Sequence, residues 1–421
     1  MRRDHGAELV LRRVLGATAL GVLLIAAEAR AAEPIEVVAR DASVTSGLAA
    51  VSHTYGATVA DWNDDGQDDA LVNLHYDSFP RMRVNAGGSF ADVTDAWFLG
   101  HPPKRDYHGC AAADVDLNGE LDLYCTVGGH KGGTGANRKE LWLQEPAGTF
   151  TEQAAEWGVR DEFGRGRQAT FIDANGDQFP DLYVTNQQPR KDGRPGPNRL
   201  FVNEGGERYR SAPGFRLNKQ IGGYVAQAAD YDGDGREDLL LCSQRGVRIF
   251  RNVANRRFKP VTRRVRASGG CLHVALARMN ADARPDLVTL SNKRGLRVAF
   301  QGVNGRFRRK PAFRDRIRRA STFALGDVNA DQLPDLYVVR ANRFDPGLPR
   351  DAQVDLRDVM LVSAGTAGSY ARMPIPQTTD GIGESATAID HDDNGLSDFI
   401  VMNGRHQASG PIRLIAFDPA P

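Results

Sequence analysis

The sequence has few of the features that assign a function directly. Its 421 residues include only four cysteines and no C-x-x-C pair, which argues against a zinc or dithiol redox site. G-x-S-x-G, H-E-x-x-H and nucleotide-loop motifs are absent, so no common catalytic motif supports enzyme chemistry. The formal net charge is +1, from 54 basic and 53 acidic residues, and gives no global sign of a nucleic-acid partner.

Apolar runs long enough to span a membrane are also missing. The run from Val14 to Ala27 has 14 residues, whereas a span requires about 20. Arginines precede this run and a small-x-small site ending at Ala31 follows it, which is the pattern of a cleaved secretory signal. We therefore predict a signal peptide at residues 1–31 and an exported mature chain, residues 32–421, that is secreted or periplasmic and has no membrane span.

Export allows the four cysteines to form disulfides, for which three pairings are possible. Cys110 and Cys125 flank one acidic loop almost symmetrically and could face each other across a hairpin. Cys242 would then pair with Cys271.

A repeated acidic loop is the main feature that the sequence does contain. The pattern D-x-[DN]-x-[DN]-x-x-x-D starts at residues 61, 114, 173, 230, 327 and 390. A seventh copy begins with Arg278 in place of aspartate. Successive starts lie 48 to 63 residues apart, which is typical of repeated structural units.

The segments around each loop indicate strands. Small and β-branched residues precede each loop, and an apolar run such as LYVTN or LLLCS follows it. A third segment such as RLFVN and a fourth, often around an aromatic residue, complete each unit. Seven four-stranded units predict an all-β fold, a seven-bladed β-propeller. The last unit stops after its third strand, so we expect the N-terminal segment IEVVARDASVTSGL to supply its fourth strand and close the ring.

The acidic loops are predicted to bind calcium at about six structural sites. Loop positions 1, 3, 5 and 9 offer side-chain oxygens and position 7 a backbone carbonyl, which suits a hard divalent cation. Position 12 is an apolar strand residue rather than the glutamate of an EF-hand, so the loops are hairpin turns. The predicted ligands are Asp61, Asn63, Asp65, Gln67, Asp69; Asp114, Asp116, Asn118, Glu120, Asp122; Asp173, Asn175, Asp177, Phe179, Asp181; Asp230, Asp232, Asp234, Arg236, Asp238; Asp327, Asn329, Asp331, Leu333, Asp335; and Asp390, Asp392, Asn394, Leu396, Asp398.

The loop that begins at Arg278 is predicted to bind no calcium. The guanidinium repels a cation and can itself lie among Asn280, Asp282 and Asp286 as a built-in substitute.

These loops resemble the FG-GAP/VCBS repeats of integrin α-subunit propellers and of many secreted bacterial proteins. The resemblance covers residues 34 to 420 and implies a calcium-binding propeller. The relatives include adhesins, lectin-like modules and some polysaccharide-active enzymes, so the resemblance implies little about function. Gln178 and Gln332 depart from it, because they stand where the repeat has glycine.

A ligand site is expected on the face opposite the loops. The residues six positions before each loop should ring that mouth, and they are Tyr55, His108, Arg167, Tyr224, Leu272, Ser321 and Glu384. Among these we predict ligand contacts from Tyr55, His108, Arg167, Tyr224 and Glu384, with His75, His130, Gln187, Gln188 and His406 nearby. A solvated rim without a ligand is the alternative. No catalytic residues are assigned.

The predicted function is therefore a secreted binding or adhesion module for a glycan or an extracellular protein, which we expect to be monomeric and to have no nucleic-acid partner. The alternative is a lyase or hydrolase of extracellular polysaccharide with its site at the same mouth.

Residues 245–320 carry 22 Lys and Arg against three Asp, which indicates either a basic edge for an acidic partner or a charged edge that prevents strand pairing.

Overall fold

The computed structural model describes residues 32–75, 79–101, 105–128, 138–146, 148–162, 164–187, 196–217, 222–243, 245–254, 257–261, 270–341, 357–376, 383–404 and 409–421. The predicted signal peptide lies outside these residues, as do His130, Gln188 and His406. Among the described residues, no helix has the length and apolarity of a membrane span.

The described residues form seven antiparallel sheets, which are the blades of a propeller. Blade 1 contains β3 (Thr54–Ala60), β4 (Asp69–Leu74), β5 (Arg81–Asn85) and β6 (Phe90–Asp92); blade 2 contains β7 (Tyr107–Ala113), β8 (Asp122–Val127), β9 (Glu140–Gln144) and β10 (Phe150–Glu152); blade 3 contains β11 (Gly166–Ile172), β12 (Asp181–Asn186), β13 (Arg199–Asn203) and β14 (Tyr209–Ser211); blade 4 contains β15 (Val225–Ala229), β16 (Asp238–Ser243), β17 (Gly246–Asn252) and β18 (Phe258–Pro260); blade 5 contains β19 (Cys271–Ala277), β20 (Asp286–Ser291), β21 (Gly295–Ala299) and β22 (Phe313–Asp315); blade 6 contains β23 (Ala320–Gly326), β24 (Asp335–Arg340), β25 (Val359–Ser363) and β26 (Tyr370–Met373); and blade 7 contains β27 (Ser385–Ile389), β28 (Asp398–Met402), β29 (Gly410–Pro419) and β1 (Val37–Asp41). Helical structure is limited to α1 (Thr94–Trp97) and a 3-10 turn at Pro213–Phe215 in the part of the chain that the structure describes.

The N-terminal strand closes the ring, as the sequence predicts. Strand β1 pairs antiparallel with β29, with Ala39 opposite Phe417. A further strand, β2 (Ala50–Ser52), pairs with the beginning of β29. The inner strands of blades 7 and 1 are joined by the Ser385 hydroxyl, which donates to the Tyr55 carbonyl at 2.8 Å. Strand β1 thereby covers an edge of β29 that would otherwise be open to pairing with another chain.

The hydrophobic core lies between neighbouring blades. Seven clusters of buried apolar side chains occupy the seven blade interfaces. Strands β4, β8, β12 and β16 are buried at every residue because both of their faces are covered by neighbouring blades. Between blades 1 and 2, Phe98 stacks on Phe150 with ring centroids 4.4 Å apart.

Both expected disulfides are present. Cys110 and Cys125 are direct cross-strand partners in blade 2, with Cα atoms 4.1 Å apart. Cys242 at the end of β16 joins Cys271 at the start of β19, which links blade 4 to blade 5. The loops closed are 15 and 29 residues long, for which chain entropy gives stabilisation of roughly 3 to 3.5 kcal/mol each.

The aspartate at loop position 9 braces each blade. In blade 3, Asp181 accepts the Ala174 N–H at 3.0 Å and the Asn203 N–H at 2.8 Å, so it joins its own loop to the third strand. The bond to the third strand or its end recurs in all seven blades, at Asp69, Asp122, Asp181, Asp238, Asp286, Asp335 and Asp398. This aspartate therefore has a structural role independent of any metal.

An amide side chain at the third strand then clasps the preceding blade. Its N–H₂ donates to the carbonyl of loop position 2 in that blade. The five pairs are Asn85 with His391, Gln144 with Trp62, Asn203 with Val115, Asn252 with Ala174, and Gln301 with Tyr231. The first of them joins blade 1 to blade 7, so the clasp also contributes to closure.

Replacing Asn252 with alanine should lower stability by about 1–3 kcal/mol, because the buried Ala174 carbonyl loses its donor. The Asn252 Oδ1 makes no hydrogen bond, so the variant removes little besides the clasp. Ser363→Ala is the matched control, since Ser363 occupies the equivalent position in blade 6. Its backbone N–H donates to Asp335, and the substitution keeps that bond. Urea unfolding of both variants measures the difference, and equal stability would contradict the clasp.

Candidate functional site

The acidic loops are held in their conformation by their own side chains. Asp61 accepts the N–H groups of Asp65 at 3.1 Å and Gly66 at 2.9 Å, which turns the loop tightly around its first carboxylate. Gln178 and Gln332 adopt φ of 73° and 64° at the position where the repeat has glycine. They therefore keep the same turn, with the strain that a left-handed conformation imposes on a residue with a side chain.

The donor set of these loops fits a hard cation. Buried carboxylate oxygens without a hydrogen-bond partner occur at Asp232, Asp331 and Asp392, and also at Asp286 in the loop at Arg278. In two loops, one carboxylate oxygen from each of three aspartates lies within 4.8 Å of the others. These sets are Asp114, Asp116 and Asp122, and Asp230, Asp232 and Asp234. Oxygen-rich clusters with unsatisfied buried oxygens are what Ca²⁺ requires of a protein site.

Burial also disfavours the ionised form of the aspartates at loop position 9, which brace the blades. It raises the pKa of Asp122, Asp181 and Asp335 to about 8, against the effect of the backbone N–H bonds that they accept. A nearby divalent cation favours the ionised form of such carboxyl groups. The loops are thus electrostatically suited to a cation.

The loop at Asp230, the most acidic by sequence, differs from the others. Arg251, at the end of β17, lies 2.5 Å from the Asp232 carboxylate and 2.8 Å from that of Asp234. Arg236 pairs with Asp234 as well. Two guanidinium groups thus neutralise carboxylates that the sequence pattern assigns to metal.

The loop at Asp390 contains a residue that the pattern did not include. His391 pairs with the Asp398 carboxylate, and their ligand atoms lie with one from Asp392 inside 4.8 Å. Burial alone would lower the pKa of His391, but the Asp398 carboxylate outweighs it and raises the pKa.

In the loop at Arg278, the arginine Nε donates to the Asp282 backbone carbonyl at 3.3 Å. The Asp282 carboxylate pairs with Arg284 at 2.5 Å, and Asp286 accepts the Gln301 N–H. The cationic partner of the Asp282 carboxylate is therefore Arg284 rather than Arg278.

At the opposite mouth, three of the five predicted ligand residues are in contact. The Tyr55 ring stacks on the His108 imidazole, with centroids 4.5 Å apart and an interplanar angle of 12°. Arg167 donates to the same imidazole and to the Gln187 amide oxygen. His75 packs edge-on against His108, with centroids 4.9 Å apart. These side chains, together with Asp106, are called the mouth cluster below.

Asp106 contacts both histidines of the mouth cluster. Its Oδ1 lies 2.6 Å from His75 Nδ1 and 3.2 Å from His108 Nε2, and all three residues are buried. Burial by itself would raise the pKa of Asp106, but the bonds with the two histidines outweigh it and hold the pKa well below its ordinary value. Burial lowers the pKa of His108 to about 3, and the charge of Arg167 acts in the same direction. His108 is therefore neutral at physiological pH beside a charged guanidinium.

The backbone of blade 2 leaves room for this cluster at Gly128. A Cβ there would lie 2.7 Å from the Asp106 carboxylate and closer still to the His108 ring. Asp106 was missed by sequence reasoning, which selected one residue per inner strand. Its signal was the triplet Asp106, Tyr107 and His108, which places a carboxylate beside the predicted histidine.

The other ring residues occupy equivalent positions on their own blades. Tyr224 and Glu384 directly precede β15 and β27, and their N–H groups pair with Cys242 and Met402. Leu272 lies in β19 and Ser321 in β23. Six of the seven ring residues are half-buried, and His108 is buried.

Comparison with known proteins identifies the repeat. Residues 230–289 match the FG-GAP-like repeat family. The match covers one repeat, and together with the seven blades it supports the predicted FG-GAP repeat propeller. The search among curated proteins found no match.

Similar solved structures include a lectin of Agrocybe aegerita, described as recognising non-reducing terminal N-acetylglucosamine. It is 15% identical with a TM-score of 0.48, over 76% of this chain and 79% of the lectin. A Tc holotoxin pore of Photorhabdus luminescens is 15% identical with a TM-score of 0.37, over 91% of this chain and 14% of the toxin. Both are too distant to indicate a ligand.

Proposed function

We propose that this protein is an exported, calcium-stabilised binding module that takes a saccharide with an acidic group at the mouth cluster. Calcium in the acidic loops holds the hairpins of one face, and the ligand binds at the other. An adhesion role for a glycan-bearing surface follows from the same arrangement.

The contact of Tyr55, His108 and Arg167 is the observation that carries this proposal. An aromatic face, a half-buried guanidinium and the Gln187 amide lie together across blades 1, 2 and 3. Aromatic rings pack against the apolar faces of sugar rings, and a guanidinium binds a carboxylate with two parallel hydrogen bonds. The neutral state of His108 leaves the positive charge of Arg167 uncompensated on its imidazole side. The arrangement therefore favours an anionic sugar over a neutral one.

Arg167→Gln should weaken binding of galacturonate and glucuronate oligosaccharides by about tenfold or more, because a charge-assisted pair is lost. The same change should raise the pKa of His108, since the neighbouring positive charge disappears. Calorimetry measures the first effect and imidazole NMR the second. Arg210→Gln on the outer strand of blade 3 is the control for charge and should change neither. Unchanged oligosaccharide binding in Arg167→Gln with a shifted His108 pKa would overturn the proposal.

Catalysis on an acidic polysaccharide is the second candidate function. The mouth cluster combines an imidazole, an arginine and a tyrosine, which favours this function. The arginine can neutralise the carboxylate of the saccharide, and an imidazole or a tyrosine hydroxyl can transfer a proton next to it. Formation of new chain ends from polygalacturonate, lost in His108→Gln, would establish it. Saturable binding of polygalacturonate without the formation of new chain ends would favour the binding module over the enzyme.

A further inference from the structure

The outer edge of blade 5 carries positive charges that face each other. Strand β21 pairs antiparallel with β22, and the register places Arg297 directly opposite Arg314. Like charges at directly opposed positions destabilise a sheet. Arg316, Arg318 and Arg319 follow at exposed positions after β22, with Ile317 buried between them. We call Arg297, Arg314, Arg316, Arg318 and Arg319 the blade 5 edge.

No acid of the same region neutralises this edge. Residues 245–320 contain three acids, all aspartates, for 22 basic residues. Asp282 pairs with Arg284, and Asp286 is buried as the brace of its blade. Asp315 pairs at 2.6 Å with Arg372, which belongs to blade 6. All three carboxylates are thus engaged by groups other than the edge arginines.

The charge density is high enough to affect the arginines themselves. Burial lowers the pKa of Arg297, and the charges of Arg294 and Arg314 lower it further. The outer strand of blade 3 shows a different arrangement, because Arg208 and Arg210 both pair with Glu204 there. Such ion pairs are sufficient for an edge whose charges serve only solubility. The arginines of the blade 5 edge do not form them with the three aspartates of their own region.

We propose that the blade 5 edge binds a linear acidic polysaccharide through its carboxylate or sulfate groups. Guanidinium groups match both anions bidentately, and a row of them favours a polymer over a single ion. Arg314 is exposed in β22, and Arg316 and Arg318 are exposed in the segment and turn that directly follow it, so three guanidinium groups are grouped at the end of this strand. The neighbouring ring of Phe313 packs on Tyr370, with centroids 4.9 Å apart, rather than forming a platform on which nucleic-acid bases could stack.

The test compares two double variants of the full mature chain. Heparin and polygalacturonate are the probes, and affinity is measured by calorimetry at several salt concentrations. The wild-type protein should bind both, with affinity that falls as salt rises. R297Q/R314Q should lose about tenfold or more, whereas R208Q/R210Q, which removes the same charge from blade 3, should stay within about twofold.

Thermal unfolding of R297Q/R314Q separates binding from folding. Its Tm should equal or exceed that of the wild type, because the opposed charges are removed. Equal loss of affinity in both double variants, or no binding by the wild type at physiological salt, would overturn the proposal. Preference for duplex DNA over both polysaccharides would overturn the class of partner. Because polygalacturonate belongs to the ligand class proposed for the mouth cluster, both double variants are also compared in an Arg167→Gln background, where binding at the mouth cannot supply the result.

Discussion

Calcium at millimolar concentration should raise the Tm of the metal-free protein on the order of 10 °C or more. A site saturated at 100 times its Kd stabilises the folded state by about 2.7 kcal/mol, and several loops contribute together. The buried carboxylate oxygens without a hydrogen-bond partner at Asp331 and Asp392 are the structural reason to expect binding to the folded chain. Scanning calorimetry in calcium and in chelator measures the shift.

Two controls make this calcium test specific. Magnesium at equal ionic strength should stabilise less, because it requires a smaller and more regular site. Asp177→Asn, in a loop that fits the pattern, should reduce the calcium increment, whereas Asp282→Asn, in the loop at Arg278, should leave it unchanged. Identical Tm in calcium and chelator would refute the calcium proposal while leaving the propeller intact.

Asp181→Ala, like substitution of the other position-9 aspartates, should be among the most damaging changes in the loops, at about 2–6 kcal/mol. It leaves the buried N–H groups of Ala174 and Asn203 without acceptors, at about 1–3 kcal/mol for each group. A loop ligand is lost as well, so the loss should be larger in calcium than in chelator. Unfolding in urea under both conditions measures it.

Asp286→Ala tests the structural role of the position-9 aspartate independently of calcium binding. It removes the acceptor of the Gln301 N–H in the loop that is predicted to bind no calcium. We expect a loss of about 1–3 kcal/mol that is equal with and without calcium. A calcium-dependent loss here would show that the loop at Arg278 binds the ion after all.

Much of the fold could be predicted because it repeats. A pattern such as DYDGDGREDLLL recurs with strands on both sides, and each copy supports the same assignment. The last unit, which lacks one strand, and the unmatched N-terminal strand then predict closure, which the pairing of β1 with β29 confirms. The amide clasps were visible in the same way, since Asn or Gln ends the third segment of five units, but their partners lie in another blade.

The site was less predictable because its contacts connect segments that are distant in sequence, within one repeat or between two. Arg251 lies 17 residues after Asp234 in sequence, yet it neutralises two acids of the most acidic loop. Asp106 gains its role from His75, which comes from the preceding blade. Position within a repeat indicates which end of a strand a side chain occupies, but it does not identify the neighbours across a blade interface.

The sequence by itself determined the number of blades, the strand order within each blade and the face on which the acidic loops lie, because these follow from local alternation and turn chemistry repeated seven times. Only the tertiary structure decided which carboxylates are braced, ion-paired or left for a cation, and which mouth residues meet. Ring closure fixes the distances between blades, and those distances determine that Tyr55, His108 and Arg167 form one cluster.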